Sequence, residues 1–314
     1  MTPIAFVFPG QGSQKVGMGQ AWADGFPEAR AAFEEADEAL GFPLSRLCWD
    51  GPGEELQLTA NTQPAILATS VAIHRVVAAS GIEAVVMAGH SLGEYSALVA
   101  AGALGFADAL RLVRKRGELM QEAVPVGEGA MAAILGLDAH RVEEVAAAAA
   151  SDAEVCSVAN YNSPEQTVIA GHRQAVERAM EDARAKGAKR AIALPVSAPF
   201  HCALMRPARQ GLEPLLEATA FSALSVPVVN NVDAVPEESG EEARRALVRQ
   251  VDGAVRWVQS VRLIAERFAV GEFLELGPGS VLSGLVRRIV PGASTASFAE
   301  PESFERWMAA RSSD

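Results

Sequence analysis

Gly89-His90-Ser91-Leu92-Gly93 carries the clearest chemistry in the chain. A serine flanked by glycines follows a short apolar run, Ala84–Ala88, and precedes helical spacing from Leu92 to Ala101. That is the setting of a nucleophile elbow, a sharp strand-to-helix turn that lifts a hydroxyl above a sheet. The same position places Ser91 at a helix N-terminus, where free N–H groups favour developing negative charge. G-x-S-x-G also arises by chance in glycine-rich loops. The strand before it and the helix after it are what separate the two readings.

A serine nucleophile needs a base. Of the five histidines, His74 lies inside a helical pattern and reads as a surface or packing residue. His140 and His172 fall at helix starts, where capping or solvation is the expected role. His90 adjoins Ser91, and neighbouring side chains on a sharp turn point apart. His201 remains, in the turn-rich segment Ser197-Ala198-Pro199-Phe200-His201-Cys202, against the competing reading of a buried loop histidine. Cys202 is not set on an elbow, and as a small buried residue it needs no function.

Two further segments bear polar chemistry. Pro9-Gly10-Gln11-Gly12-Ser13-Gln14 follows the apolar run Ile4–Phe8. It fails as a phosphate loop, because Lys15 stands where G-x-G-x-x-G needs its third glycine and no G-K-[ST] follows. Gln11 between glycines does suit backbone N–H groups turned toward a ligand, which in acyl transfer means an oxyanion hole. Arg114-Lys115-Arg116-Gly117-Glu118-Leu119-Met120-Gln121 reads first as the solvated basic face of a helix. A guanidinium is nonetheless the side chain best built to grip a carboxylate with two bonds.

The elements that must hold these residues alternate between short strands and longer helices. Strands are expected at Ile4–Phe8, Ala84–Ala88, Val226–Asn230 and Glu272–Leu276. Helices are expected at Pro27–Leu40, Gln63–Ala79, Leu92–Ala101, 107–122, Ala203–Glu217, 241–250, 255–267 and Val281–Ile289. This order predicts an α/β fold, a hydrolase-like core with a mostly parallel sheet. Between them, strands at Ala130–Leu135, Val155–Asn160, Thr167–Ala170 and Ala188–Leu194 alternate with helices at Asp138–Ala150 and Arg173–Lys186. The β-α-β-β-α-β order predicts an inserted ferredoxin-like α+β small domain at 126–197. The larger domain then comprises 1–125 and 198–314.

The chain has 314 residues, 27 basic and 39 acidic side chains, and a net charge of −12. Its acidity argues against nucleic acid as a partner, since phosphate contacts need clustered Lys and Arg. Cys48, Cys156 and Cys202 are too few and too scattered for a disulfide framework or a zinc site, so no metal is expected. No apolar run reaches the roughly 20 residues of a membrane span. The start lacks a basic region followed by a long apolar one. The expected compartment is the cytoplasm, with no membrane partner and a monomeric chain.

Taken together, these segments resemble the malonyl-CoA:acyl-carrier-protein transacylases of fatty-acid synthesis, an acyltransferase family also found in polyketide synthases. The matching stretches are FVFPGQGSQ at 6–14, GPGEEL at 51–56, NTQPA at 61–65, GHSLGEY at 89–95 and RGELMQEAVP at 116–125. NYNSP at 160–164, APFHCALM at 198–205, NNVDA at 230–234, VRWVQSV at 255–261 and FLELGPGSVLSGL at 273–285 complete the set. The resemblance implies that Ser91 is the acylated nucleophile and His201 its base. It implies an oxyanion hole from the backbone N–H groups of Gln11 and Leu92, and Arg116 as the group that binds the malonyl carboxylate. It implies, too, that a backbone carbonyl at Gln250 orients the histidine in place of a carboxylate. Gln63, Met120 and Phe200 match pocket positions. Phe200 stands where this family often has serine, and polyketide acyltransferases selecting malonyl also tend to have phenylalanine there.

The implied reaction passes malonyl from malonyl-CoA to the phosphopantetheine thiol of an acyl carrier protein through malonyl-Ser91, with no permanently bound cofactor. A carrier from a polyketide synthase or a malonate decarboxylase is an alternative acceptor. A serine thioesterase or hydrolase would share the elbow but not the Arg116 segment. The carrier in this family's reactions is acidic, so docking needs local basic surface. Lys189–Arg190 and Arg287–Arg288 are the candidates, against a merely solvating role.

Overall fold

A computed structural model describes residues 2–196 and 198–311. Ser197, the end of the expected insertion, and positions 1 and 314, the outer bounds of the larger domain, lie outside the described residues.

The chain opens with β1 (Ile4–Phe8), followed by α1 (Gln20–Gly25), α2 (Pro27–Leu40), α3 (Leu44–Asp50), α4 (Gly53–Gln57) and α5 (Thr59–Ala79). Next come β2 (Val86–Gly89), α6 (Gly93–Ala100) and α7 (Phe106–Glu122). The middle holds β3 (Gly129–Leu135), α8 (Ala139–Ala149), β4 (Cys156–Ser163), β5 (Gln166–His172), α9 (Arg173–Ala185) and β6 (Arg190–Ala193). A 3₁₀ turn at Ala203–Met205 leads into α10 (Arg206–Ala218), β7 (Val228–Val229), β8 (Pro236–Glu237), α11 (Gly240–Gln250) and α12 (Trp257–Arg267). The chain closes with β9 (Glu272–Glu275), α13 (Val281–Ile289), β10 (Ser294–Ser297) and α14 (Pro301–Arg311).

Six strands form one sheet in the order β10-β9-β1-β2-β7-β8, parallel except for β8. Strand β1 alternates strictly between two cores. Ile4, Phe6 and Phe8 join the cluster built with α2 and α5, while Ala5 and Val7 join the one containing Trp257 and Val286. Both faces being covered is what makes β1 and β2 wholly apolar. The strands β1 and β2 are parallel neighbours with Phe8 opposite Gly89. Their carboxyl ends therefore release the Gln11 loop and the Ser91 turn side by side, where open α/β sheets place their ligands.

The other four strands form an antiparallel sheet, β4-β5-β3-β6, in β-α-β-β-α-β chain order. Val142 and Val145 of α8 and Val176 of α9 lie in the same buried cluster as Ala5 and Val7. A parallel bridge between Asn160 and Val255 ties β4 to the strand-like entry of α12.

Several boundaries differ from the sequence expectation. Helix α5 begins at Thr59, not Gln63, although Pro64 lies within it. Proline at 64 cannot donate to the carbonyl of Ala60. Arg114 Nη1 donates to that oxygen at 3.2 Å instead, so the helix continues upstream. Strand β2 spans Val86–Gly89 rather than Ala84–Ala88, and β7 keeps only two of five expected residues. Asn230 N donates instead to Val235 O, and Asn231 leaves the ladder. The short elements α1, α3, α4, β8 and β10 and the terminal α14 had no periodic pattern strong enough to announce them.

Gly93 enters α6 with no room to spare: a Cβ there would lie 2.0 Å from Phe8 O. The carbonyl belongs to a paired strand and cannot yield. We expect Gly93→Ala to lower stability by more than about 3 kcal/mol, read as a fall in the urea midpoint. A midpoint equal to wild type would show that the turn relaxes.

Candidate active site

Ser91 adopts a left-handed backbone, φ 52°, and so does His201, φ 58°. Non-glycine residues avoid this region, at a cost of about 1–3 kcal/mol each. At Ser91 the turn is held from both sides. His90 N donates to Phe8 O at 3.0 Å. Asn231 Oδ1 accepts from Ser91 N at 2.6 Å, and Asn231 Nδ2 donates to Gly89 O at 2.7 Å. One side-chain amide thus clasps the backbone on both sides of His90.

The loop after β1 lies directly on this turn. A Cβ on Gly10 would sit 2.4 Å from His90 O, so only glycine fits. The loop in this way brings Gln11 against the elbow. Neither Gln11 N nor Leu92 N donates to an acceptor among the described residues. Two free backbone donors remain, one on each of two abutting segments.

Ser91 Oγ and His201 Nε2 are 2.6 Å apart. His201 Nδ1 faces two carbonyl oxygens, Gln250 O at 3.0 Å and Gly253 O at 3.1 Å. Carbonyls only accept, so Nδ1 carries the proton and the Nε2 lone pair faces the serine. Burial, reinforced by the nearby Arg116 charge, lowers the His201 pKa to about 3. The ring is therefore neutral near pH 7, with no carboxylate beside it.

Arg116 is buried on α7, 2% exposed, while Arg114 and Lys115 pair with Glu118 nearer the surface. The solvated-face reading holds for Lys115 and fails for Arg116. Its Nη1 donates to Gln63 Oε1 at 2.7 Å, and its Nη2 to Gln250 Oε1 at 3.0 Å and Ser91 Oγ at 3.1 Å. All three acceptors are neutral. Arg116 Nε has no partner among the described residues. Burial lowers the Arg116 pKa, but a guanidinium stays charged. A buried cation with a spare donor and no carboxylate in direct contact, with Glu94 acting on it only from beyond Gln250, is the site's most unusual feature.

The remaining candidates join this centre unequally. Gln63 Nε2 donates to Thr59 Oγ1 at 3.1 Å, and Thr59 Oγ1 donates to Gln11 Oε1 at 2.8 Å. Met120 Sδ lies 3.9 Å from Gln63 Nε2. Phe200 is buried next to His201 in sequence, with no ring contact to the cluster among the described residues. Of the other histidines, His74 lies edge-on to Phe6 and Phe8, and burial lowers its pKa to about 4. His140 is exposed beside Glu144. His172 occupies the N-cap position of α9 but makes no side-chain capping bond; its Nδ1 accepts from Val155 N at 2.8 Å instead. His90 Nε2 lies 2.8 Å from Asn162 Oδ1, turned away from Ser91.

Sequence reasoning missed Asn231, Glu94 and Thr59. Glu94 is fully buried beneath the elbow, its Oε2 accepting from Asn231 N at 2.8 Å and Gln250 Nε2 at 3.0 Å. Burial raises its pKa to about 7, against those hydrogen bonds and the Arg116 charge. Glu94 and Asn231 stood in matched stretches, but a single polar residue in a helix or turn reads as solvated until its burial is known. No cluster of three or more His, Cys, Asp or Glu among the described residues could hold a metal.

Comparison with known proteins bears on this geometry. The acyl transferase domain family matches residues 5–299. The malonyl CoA-acyl carrier protein transacylase of Escherichia coli K12 is 53% identical over 302 residues, 96% of this chain and 97% of its own. The Bacillus subtilis 168 protein of the same name is 49% identical over 306 residues, 97% and 96% of the two chains. Among solved structures, an acyl carrier protein S-malonyltransferase from Vibrio cholerae superposes with TM-score 0.95 at 48% identity, covering 98% of this chain and all of its own. A malonyl-transacylase solved in complex with its type II polyketide-synthase acyl-carrier protein gives TM-score 0.95 at 49% identity, with coverage of 98% and 100%. This chain therefore belongs to the acyl transferase domain family, among the malonyl CoA-acyl carrier protein transacylases.

Proposed function

We propose that the protein transfers malonyl from malonyl-CoA to the phosphopantetheine thiol of an acyl carrier protein in fatty-acid synthesis, through a malonyl-Ser91 intermediate. One observation carries the reading. Ser91 Oγ lies 2.6 Å from a neutral imidazole and 3.1 Å from a buried guanidinium whose direct hydrogen-bond partners are all neutral. The first contact suits a nucleophile, and the second suits an acyl group ending in a carboxylate.

In this scheme Ser91 Oγ attacks the thioester carbonyl while His201 Nε2 takes its proton. The oxyanion is received by the N–H groups of Gln11 and Leu92. The intermediate collapses, the CoA thiolate leaves and takes the proton from His201, and malonyl-Ser91 remains. The carrier thiol then gives its proton to His201 and attacks, and the same steps run in reverse. The carbonyls of Gln250 and Gly253 hold the imidazole and stabilise its transient positive charge. A malonyl carboxylate on Arg116 offsets the charge that depresses His201, so the proper substrate also makes its own base stronger. Gln63 bonds Arg116 directly and Met120 lies against Gln63, so both stand behind the proposed clamp; Phe200 is proposed as a pocket residue from its place next to His201.

The division of labour we assign is a catalytic domain from 1–125 and 198–314 and a small ferredoxin-like domain at 126–197. Its support is that all four antiparallel strands fall between Gly129 and Ala193. The proposed compartment is the cytoplasm; no helix among the described residues is long and apolar enough to cross a membrane. For carrier docking we assign Lys189–Arg190 and Arg287–Arg288, because both pairs line one cavity of about 660 Å³. Ser163 lines it too, and the adjacent Asn162 touches His90, the neighbour of the nucleophile. A polyketide carrier remains the second reading, favoured by the relative solved with such a partner.

Incubation with malonyl-CoA should leave an acyl adduct on Ser91, detectable by mass spectrometry and absent from Ser91→Ala. In Arg116→Ala the malonyl adduct should form about 10- to 100-fold more slowly, the loss of one charged hydrogen-bonding pair, while acetyl transfer is kept. Equal losses with both acyl groups would refute the carboxylate clamp. Stability gives an independent check on His201. Its folded pKa lies far below the ordinary 6.5, so the unfolded chain takes up the proton first and stability falls as pH drops below about 6.5. Wild type should lose about 1.6 kcal/mol more than His201→Gln between pH 6.5 and 5. Parallel pH curves for the two would contradict a buried neutral base. Reversing all four basic residues to Glu should raise the KM for holo-carrier roughly tenfold, at a few tenths of a kcal/mol per surface charge. An unchanged KM removes this surface as the docking site.

A further inference from the structure

The orientation of the Gln250 side chain poses a question that the proposed reaction leaves open. Its Oε1 accepts from Arg116 Nη2 at 3.0 Å, and its Nε2 donates to Ser91 O at 2.9 Å and Glu94 Oε2 at 3.0 Å. An amide rotated by half a turn would place an NH₂ group against the guanidinium, donor against donor. Something on the nitrogen side must hold it. Ser91 O is one acceptor, and the buried carboxylate of Glu94 is the other.

The same Glu94 oxygen accepts from Asn231 N at 2.8 Å, and Asn231 clasps the elbow through Ser91 N and Gly89 O. One atom thus joins the arm that steadies the nucleophile to the arm that steadies Arg116. Glu94 touches neither the hydroxyl nor the guanidinium itself. Its second oxygen, Oε1, has no partner among the described residues.

We propose that Glu94 is a positioning residue for acyl selectivity: it locks the Gln250 amide with its oxygen toward Arg116, and so aims the guanidinium at the malonyl carboxylate. This rests on the reading of Arg116 as the carboxylate clamp. The arrangement separates orientation from charge. A glutamine at 94 can keep its carbonyl where Oε2 is, with its NH₂ in the place of the unpartnered Oε1. It loses the charge and keeps the acceptor. Methionine fills similar space and offers no comparable acceptor.

The test is the rate of adduct formation on Ser91 with malonyl-CoA and with acetyl-CoA, in wild type, Glu94→Met and Glu94→Gln, each with its thermal melt. The expected result is a malonyl-to-acetyl ratio about tenfold lower in Glu94→Met, the scale of one buried hydrogen bond. In Glu94→Gln the ratio should stay within about twofold of wild type. A wild-type ratio in folded Glu94→Met overturns the positioning role, and so does a tenfold loss in Glu94→Gln. If Glu94→Met does not fold, Glu94→Gln decides alone on the same criterion. A wild-type chain that acquires no malonyl group at Ser91 overturns the functional reading itself, and this inference with it.

Discussion

A serine held at φ 52° is the constraint on which the rest of this structure turns. That backbone is costly, and it persists only because the surroundings leave it no alternative. Phe8 O takes the N–H of His90, Asn231 takes the N–H of Ser91, and Gly93 packs against the end of β1 with no space for a side chain. The sheet supplies the rigidity, since β1 and β2 are adjacent parallel strands buried on both faces. A turn built this way raises Oγ toward His201 and leaves the Leu92 N–H free beside the Gln11 loop.

Electrostatics then gives the site its character. Desolvation and the Arg116 charge both disfavour a protonated His201, which keeps the base neutral without any acidic partner. In serine triads a carboxylate holds the imidazole and stabilises its charged form. Here two carbonyls hold it, and no carboxylate does. A guanidinium held only by neutral direct partners in a buried site is expensive, and the carboxylate clamp proposed above is the arrangement that would lower that cost.

Beneath this surface layer lies a polar floor of Glu94, Asn231, Gln250, Asn230 and Glu237, all buried. Glu237 accepts from Asn230 Nδ2 at 3.0 Å, and burial together with the Glu94 charge raises its pKa to about 9. Buried polar groups are tolerable only when hydrogen-bonded, and a connected network rigidifies what it joins. Hydrogen bonds through Glu94, Asn231 and Gln250 join the elbow to the helix end at Gln250, while Asn230 and Glu237 form a separate bonded pair at the end of β7.

Much of this was legible in the linear order of residues. A continuous apolar run placed β1, the 27–40 helix matched residue for residue, and the glycines around Ser91 announced a tight turn because only a few backbone geometries need them. Elimination among five histidines left His201 as the candidate base against the reading of a buried loop histidine, and its ring lies 2.6 Å from Ser91 Oγ. Local pattern could not extend α5 past Pro64, because the group that makes the extension possible is Arg114, 54 residues from the carbonyl it satisfies. Nor could it separate Arg116 from its neighbours Arg114 and Lys115, which share a helix and differ only in what packs around them. Residue type and spacing determine which chemistry is available, because periodicity and turn geometry are local properties of the chain. Burial, the neutral state of His201 and the placing of Glu94 were decided only by tertiary structure, because desolvation and hydrogen bonding depend on which distant segments close over a group.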